Sequence, residues 1–216
     1  MYRVLVPAFV SLCLTGCGMS MAGNPLTAGF ANSGQPAPRT PRTEQTASID
    51  RAAPIRAVAK AEDRAPKGTF EKAPTGALAD RDYSGTRLDA EKARDLVNAY
   101  RKSKGLRPLQ LQPALTEAAR AQSRDLAKWD RISHFGSDGS NPWDRVRRAG
   151  YNAKVAAENV GTGQVTVDEV MKGWQASPGH NKNLLLPDAQ HMGIALVQDP
   201  KTEFKTFWTL VVGAPL

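Results

Sequence analysis

The large apolar residues of this chain are concentrated in its C-terminal part, and this uneven distribution limits what the chain can fold into. All four tryptophans and most of the leucines and valines lie within residues 88–216. Residues 18–87 are rich in Pro, Ala, Thr and Gly and carry charges of both signs. Such a segment buries too little apolar surface to offset the chain entropy that folding removes. The sequence therefore predicts one domain over residues 88–216 and a disordered tether over residues 17–87.

The first seventeen residues have the organisation of an export signal. A short basic start precedes an apolar run over residues 4–14, which is too short to cross a bilayer as a stable helix. The sequence Leu14-Thr15-Gly16-Cys17 follows, and it resembles the lipobox of a bacterial lipoprotein signal. We expect residues 1–16 to be removed and Cys17 to receive lipid, which predicts an extracytoplasmic, membrane-anchored lipoprotein of the bacterial cell envelope. An ordinary signal peptide with an accidental cysteine is the other interpretation.

The cysteine count argues against a domain held together by disulfides, and the charge pattern argues against a nucleic-acid-binding protein. Cys13 and Cys17 are the only two cysteines, so the mature domain has no disulfide and its stability must come from its core. The formal net charge is +8 and the isoelectric point is near 9.7. The basic residues are nevertheless interspersed with acidic ones and accompany no nucleic-acid recognition motif. We expect no nucleic-acid partner, but some attraction to an anionic membrane or envelope polymer.

Apolar periodicity and capping residues predict helices around a small sheet. Thr166 and Glu169 have the spacing of a capping box, which opens a helix carrying Trp174. We expect both Trp174 and Trp208 to lie in the core. The other helices are predicted over residues 89–104, 113–130 and 142–148, and two strands over residues 191–198 and 204–213.

One stretch has the features of a site. In Ser177-Pro178-Gly179-His180, proline biases Ser177 away from the helical region and glycine permits a positive φ, so the backbone should aim His180. His134 lies in a predicted loop, and Glu158 in Ala157-Glu158-Asn159-Val160 is placed where an element ends. The sequence thus offers two histidines and one carboxylate as candidates for a common site.

The order of several motifs resembles bacterial members of the CAP superfamily, also called SCP-like after the cysteine-rich secretory proteins, antigen 5 and pathogenesis-related 1. The motifs are His134, Arg148–Tyr151, Ala157–Val160, Trp174–His180 and Phe207–Thr209. The resemblance covers residues 88–216. It implies an α+β fold in which a small antiparallel sheet forms the middle of a three-layer α-β-α sandwich.

The resemblance also implies a cavity with two histidines and two acidic residues, in which some members bind a divalent metal such as zinc. Carried over by motif, the histidines are His134 and His180 and the first acid is Glu158. The second acid normally follows the tryptophan equivalent to Trp174, where this chain has Gln175-Ala176-Ser177. Glu169 is the nearest acid, and its position favours a helix cap over a cavity ligand.

Three functions remain open at this point. The first is a binding module whose cleft, lined by His134, Glu158 and His180, takes an envelope polymer, a lipid or a peptide. The second is a metal-dependent, peptidase-like hydrolase that uses the same residues, with His134 and His180 as ligands of zinc or another divalent metal. The third is a structural envelope protein in which these residues only brace loops. We favour the first, without a confident catalytic residue, because metal hydrolysis usually needs a further base. Ser177 lacks the setting of a nucleophile, and His191 has no counterpart in the family.

Overall fold

The computed structural model describes residues 27–31, of which only the backbone is considered, and residues 62–216. The predicted signal segment and Cys17 lie outside these residues. The described strands are β1 (Thr27–Ala31), β2 (Phe70–Glu71), β3 (Gln110–Leu111), β4 (Ile132–Ser133), β5 (Ala153–Thr162), β6 (His191–Gln198) and β7 (Thr206–Pro215). The described helices are α1 (Ala90–Ser103), α2 (Pro113–Trp129), α3 (Pro142–Arg148), α4 (Val167–Ala176) and α5 (Pro178–Leu184). Within the described residues, no helix combines the length and apolarity needed to cross a membrane.

Helices α1, α2 and α3 begin at residues whose side chains favour a helix start. The Asp89 side chain accepts a hydrogen bond from the Lys92 amide at 3.0 Å and so caps α1. Pro113 opens α2, where its missing N–H is not needed. Asn141 and Asp144 form a reciprocal capping box at the start of α3. These three starts agree with the sequence predictions.

The main sheet has the strand order β1-β5-β7-β6-β3. Its centre is antiparallel: β7 pairs with β5 on one side and with β6 on the other. β3 adds a short parallel edge to β6, and β1 adds an antiparallel edge to β5. The ten-residue strand β5 was missed by the sequence analysis, so the prediction that Glu158 lies where an element ends is wrong.

The sheet is covered by helices on both faces, which confirms the three-layer α-β-α sandwich. Leu210 and Val212 of β7 belong to the core under α1, α4 and α5, which includes Trp174. Val211, between them, packs with Leu115 of α2 on the opposite face. This alternation is the period of two that a strand imposes. Trp174 and Trp208 are both 0% exposed, as predicted for core residues.

One glycine sets the approach of α2 to the sheet. A Cβ placed at Gly193 of β6 would lie 2.1 Å from the Thr116 amide nitrogen and 2.2 Å from the Leu115 carbonyl carbon. Both are backbone atoms of α2, which cannot turn aside as a side chain could. Glycine at this position therefore permits the close packing of α2 on β6.

Residues 62–87, which we call the strap, pack on the domain that the sequence analysis began at residue 88. Strand β2 of the strap pairs with β4. Arg81 forms an ion pair with Glu169 at 2.6 Å, and the Tyr83 hydroxyl donates to the Gly163 carbonyl at 3.0 Å. Over this range the structure differs from the predicted tether, because polar and backbone contacts hold the strap. The other described part of the predicted tether, residues 27–31, forms strand β1.

Candidate functional site

Glu158 lies at the centre of the candidate site, in the middle of β5. Its side chain is completely buried, and each carboxylate oxygen has its own partner. Oε1 lies 2.9 Å from His134 Nδ1, and Oε2 accepts a hydrogen bond from Arg145 Nη2 at 2.8 Å. The structure therefore places the side chains of His134 and Glu158 in direct contact.

Arg145 of α3 is a site residue that the sequence analysis missed. Its side chain is 4% exposed. Besides Glu158, it donates to the His134 carbonyl at 3.0 Å and to the Ser140 carbonyl at 2.9 Å. It thus links the loop after β4 to the acid in β5. The available signal was three arginines in one short helix, a pattern that sequence reasoning assigns to a solvated face.

Glu158 is held in its ionised form by its neighbours. Burial alone raises the pKa of a carboxyl group, because it penalises the charged form. The Arg145 guanidinium and the hydrogen bond from His134 outweigh burial, so that the pKa of Glu158 lies below its ordinary value. The carboxylate and the guanidinium therefore form a compensated pair inside the protein.

His180 enters the site from the first turn of α5. Ser177 has extended backbone angles, φ −91° and ψ 120°, and caps both α4 and α5. Pro178 occupies the first turn of α5. The positive φ that glycine permits at this position is not adopted, because Gly179 is part of that helix. Two helices that meet at Ser177 therefore aim His180.

The His180 ring is fully buried, and neither ring nitrogen has a hydrogen-bond partner among the described residues. Burial, together with the nearby His134, lowers the pKa of His180 to about 4. At neutral pH the ring is uncharged. It therefore presents one N–H donor and one nitrogen acceptor that the described protein groups leave unused.

The site straddles the outer edge of β5. Glu158 lies on the sheet face covered by α2 and α3, because its partner Arg145 belongs to α3. Asn159, the next residue, faces the opposite layer and donates to the His180 carbonyl at 3.1 Å. Asn183 of α5 donates to the Glu158 carbonyl at 3.0 Å. His134 and His180 therefore approach the strand edge from different layers of the sandwich.

Glu169 is engaged outside this cluster, as a residue at the start of α4. Its amide donates to the Thr166 hydroxyl oxygen at 3.1 Å, and its carboxylate accepts from the Val165 amide at 2.8 Å. The same carboxylate pairs with Arg81. These contacts are those of a helix cap that also anchors the strap.

The two remaining candidates are also placed elsewhere. No hydrogen bond joins Ser177 to His180, since the His180 ring nitrogens have no such partner among the described residues. His191 begins β6, and its Nδ1 lies 2.8 Å from the Tyr151 hydroxyl. Neither residue belongs to the cluster around Glu158.

The described donors do not fit a zinc site of the usual kind. Catalytic zinc normally has three protein ligands and structural zinc has four. Both oxygens of Glu158 are engaged, and one of them faces a guanidinium cation at 2.8 Å. Within the described residues there is no group of three or more His, Cys, Asp or Glu side chains arranged to hold a metal ion. The predicted metal role of His134 and His180 stays a prediction resting on two imidazoles.

The sequence model of the cysteine-rich secretory protein family, CAP, matches residues 94–212, more than half of the chain. The chain belongs to this family. Its relatives include the uncharacterized protein YkwD of Bacillus subtilis, 38% identical over 108 residues, which are 50% of this chain and 42% of YkwD. The uncharacterized membrane protein YlbC of the same organism is 29% identical over 102 residues, 47% of this chain and 30% of YlbC. This CAP protein thus spans less than half the length of these relatives.

Solved structures support the same fold. An extracellular SCP-domain protein from Bacillus anthracis superposes with a TM-score of 0.51 at 24% identity, over 57% of this chain and 39% of its own. An outer surface protein from Borrelia burgdorferi superposes with a TM-score of 0.54 at 18% identity, over 61% of this chain and 99% of its own. At these identities the likeness supports the fold alone.

Proposed function

We propose that this CAP protein is a binding module that works outside the cytoplasm and takes envelope material in the cleft lined by His134, Glu158 and His180. Two solved relatives are described as an extracellular protein and as an outer surface protein. The predicted export signal agrees with that location.

The observation that carries this proposal is the state of the buried polar groups. The charges of Glu158 and Arg145 compensate each other at 2.8 Å, so neither is a free acid or base. His180 alone retains two ring nitrogens without a hydrogen-bond partner among the described residues. A buried polar atom without a partner costs free energy, and a ligand that supplies the partner recovers it. This arrangement favours binding over hydrolysis, which would need a poised nucleophile or a metal-bound water.

The binding test uses isolated bacterial cell-wall sacculi. Wild-type protein is expected to cosediment with the sacculi, and His180→Leu is expected to weaken this binding at least tenfold, because it removes both ring nitrogens. His191→Gln is the matched control, since it removes a histidine outside the site. Equal cosedimentation of wild type and His180→Leu, with both proteins folded by circular dichroism, would favour the structural alternative.

The hydrolase alternative is tested with zinc on the same protein. Two imidazoles with no third protein ligand among the described residues should give weak binding, so calorimetry at about pH 7.5 is expected to show no saturation at micromolar zinc. The hydrolase alternative would be favoured by two results together. The first is stoichiometric zinc binding that is abolished both by His134→Ala and by His180→Leu. The second is release of soluble fragments from sacculi.

We also propose that lipid on Cys17 anchors the protein to a membrane. The support is the order of a basic start, a short apolar run and Leu14-Thr15-Gly16-Cys17. Wild-type protein is expected in the detergent phase after phase separation of cells, and Cys17→Ser in the aqueous phase or unprocessed. Cys13→Ser is the control, and it should behave as wild type. Wild-type protein in the aqueous phase contradicts the anchor.

A further inference from the structure

The outer edge of β5 is occupied by a strand from far upstream in the chain. On its inner side β5 pairs with β7 between Ala153 and Thr162. On its outer side it pairs antiparallel with β1, from Thr27 opposite Gly161 to Ala31 opposite Ala157. An exposed strand edge offers a row of unpaired N–H and C=O groups to any extended chain that can reach it. In this protein, residues 27–31 take those groups.

The backbone of β1 lies among the elements that carry the site. Besides β5, which holds Glu158, it contacts α5, which holds His180. It also contacts β4, which immediately precedes His134. In register, residue 30 is paired with Glu158 and residue 29 with Asn159. Since the site straddles the edge of β5, the strand paired at this edge passes through the site.

We propose that the site is a slot for an extended peptide, which adds to β5 as an antiparallel strand, and that residues 27–31 are its resident occupant within the same chain. This inference deepens the proposed function, because it names an extended peptide as the ligand. Backbone hydrogen bonds supply affinity in strand addition, and alternate side chains supply specificity.

The two sheet faces give such a peptide two different environments. Successive residues of a strand point to opposite faces. The peptide residue paired with Glu158 therefore lies on the face of the Arg145 and His134 cluster. Its neighbours lie on the face of α5, where Asn159 contacts the His180 backbone. The slot would thus distinguish a peptide whose successive side chains differ in chemical type from a peptide whose side chains are all of one type.

The resident strand also sets the concentration at which a second peptide can enter. A segment on the same chain competes at an effective concentration on the order of millimolar when its linker can span the distance. A free peptide at micromolar concentration must therefore bind more tightly or wait for β1 to leave. Residues 27–31 consequently act as an internal competitor for the slot.

The test disables the resident strand and offers it back as a peptide. Alternate residues of an edge strand direct their N–H groups toward the neighbour, and proline has no N–H, so Ala28→Pro with Gly29→Pro removes a ladder hydrogen bond in either arrangement. A fluorescein-labelled peptide with the sequence of residues 24–34 is expected to bind this full-length double variant at least tenfold more tightly than wild type, by fluorescence anisotropy. Ala47→Pro with Ser48→Pro, outside residues 27–31, is the matched control and should bind as wild type.

Hydrogen exchange of the β5 amides measures strand pairing independently of peptide affinity. The β5 amides between residues 157 and 161 that lose protection in the double variant should regain it when the peptide is added. A peptide carrying the same two prolines should restore nothing. Unchanged protection in the double variant, or equal peptide affinity of double variant and wild type, overturns the proposal. A wild-type dimer that the double variant converts to a monomer, measured by sedimentation equilibrium, also overturns it, since the occupant then belongs to a second copy.

The peptide slot and the envelope-binding function can fail independently, and the two measurements distinguish these outcomes. Loss of sacculus binding is measured on His180→Leu, which leaves residues 27–31 unchanged. Peptide binding that appears only in the double variant, in a protein that ignores sacculi, supports the slot and rejects the envelope ligand. Sacculus binding without any peptide binding gives the reverse conclusion.

Discussion

Arg145 changes the chemistry expected of Glu158, the acid that the sequence predicted for the site. A buried carboxylate beside a histidine would be a candidate metal ligand or base. With a guanidinium at 2.8 Å, the same carboxylate is one half of an internal ion pair. Removing one partner of such a pair leaves an uncompensated buried charge, which costs about 3 to 5 kcal/mol. Loss of binding in a Glu158 variant would therefore have to be separated from loss of folding.

His180 should make the stability of the protein depend on pH below neutrality. Its pKa is lowered from 6.5 to about 4 by burial and by His134, whereas the unfolded chain has the ordinary value. The unfolded state therefore binds more protons between these two values, so stability falls as pH drops from about 6.5 to about 4. At about 1.4 kcal/mol per pKa unit, the His180 contribution to this fall is about 3 to 4 kcal/mol at most.

Urea unfolding of wild type and His180→Leu at several pH values measures this contribution. The variant is expected to lose less stability than wild type over that interval, because leucine does not titrate. Glu158 adds a separate loss at lower pH in both proteins, since its lowered pKa makes its contribution disappear on protonation. Parallel pH curves for wild type and His180→Leu contradict the assignment.

At the level of elements, the strap holds the loop that carries His134. Asp63 forms an ion pair with Arg131, whose side chain is 1% exposed. The Arg64 amide donates to the Ser137 carbonyl at 2.6 Å. Strand β2 pairs with β4, and the Thr69 carbonyl accepts from the Ser133 hydroxyl at 2.8 Å. The loop is thus fixed on both sides of His134 by residues outside the family match.

Asp63→Asn should therefore loosen the loop. It removes the charge nearest to Arg131 and leaves Asp125 at 3.4 Å as the remaining carboxylate partner. Asp63 is partly exposed, so we expect a loss of about 1 to 2 kcal/mol in unfolding free energy, less than for a fully buried pair. Hydrogen exchange of residues 131–139 should increase. Asp80→Asn is the control, an exposed aspartate of the same strap, and it should change neither quantity. Unaltered exchange in Asp63→Asn would show that the strap is not what holds the loop.

The elements that sequence could predict are those with a local chemical signal. Capping side chains and Pro113 placed the starts of α1 to α4, and β6 was predicted with its observed bounds, whereas the short helix α5 was missed. Strand β5 was missed because its buried sequence, Ala153 to Thr162, lacks the polar alternation of a half-exposed strand. The partner of Glu158 was missed because Arg145 lies in a different element, and only tertiary packing brings them together. The strap was missed because many of its contacts are backbone hydrogen bonds or ion pairs, whereas composition reports apolar burial.

At the level of the whole molecule, the packed unit is larger than the family match. The match begins at residue 94, but Asp63 and Arg64 contact the matched domain, and residues 27–31 pair with β5. The strap also supplies Arg81, the partner of Glu169 at the start of α4. A version of the domain that begins at residue 88 would leave Arg131 without Asp63 and Glu169 without Arg81. The stable unit is therefore expected to begin before the strap.

Limited digestion with trypsin tests this boundary. Residues 39–60 contain five trypsin sites, the last after Lys60, and Arg64 is the first site within the strap. Proteases cut where the backbone is exposed and free of packing contacts, and the Arg64 amide is bonded to Ser137. We expect the resistant product to begin at Ala61, as read by intact mass and N-terminal sequencing. In the Asp63→Asn variant, we expect trypsin to cleave within the strap as well, so that the resistant product begins later in the chain. A resistant wild-type product that begins at Asp82 or Leu88 would instead show that the strap is released in solution, and the domain would then start where the sequence first placed it.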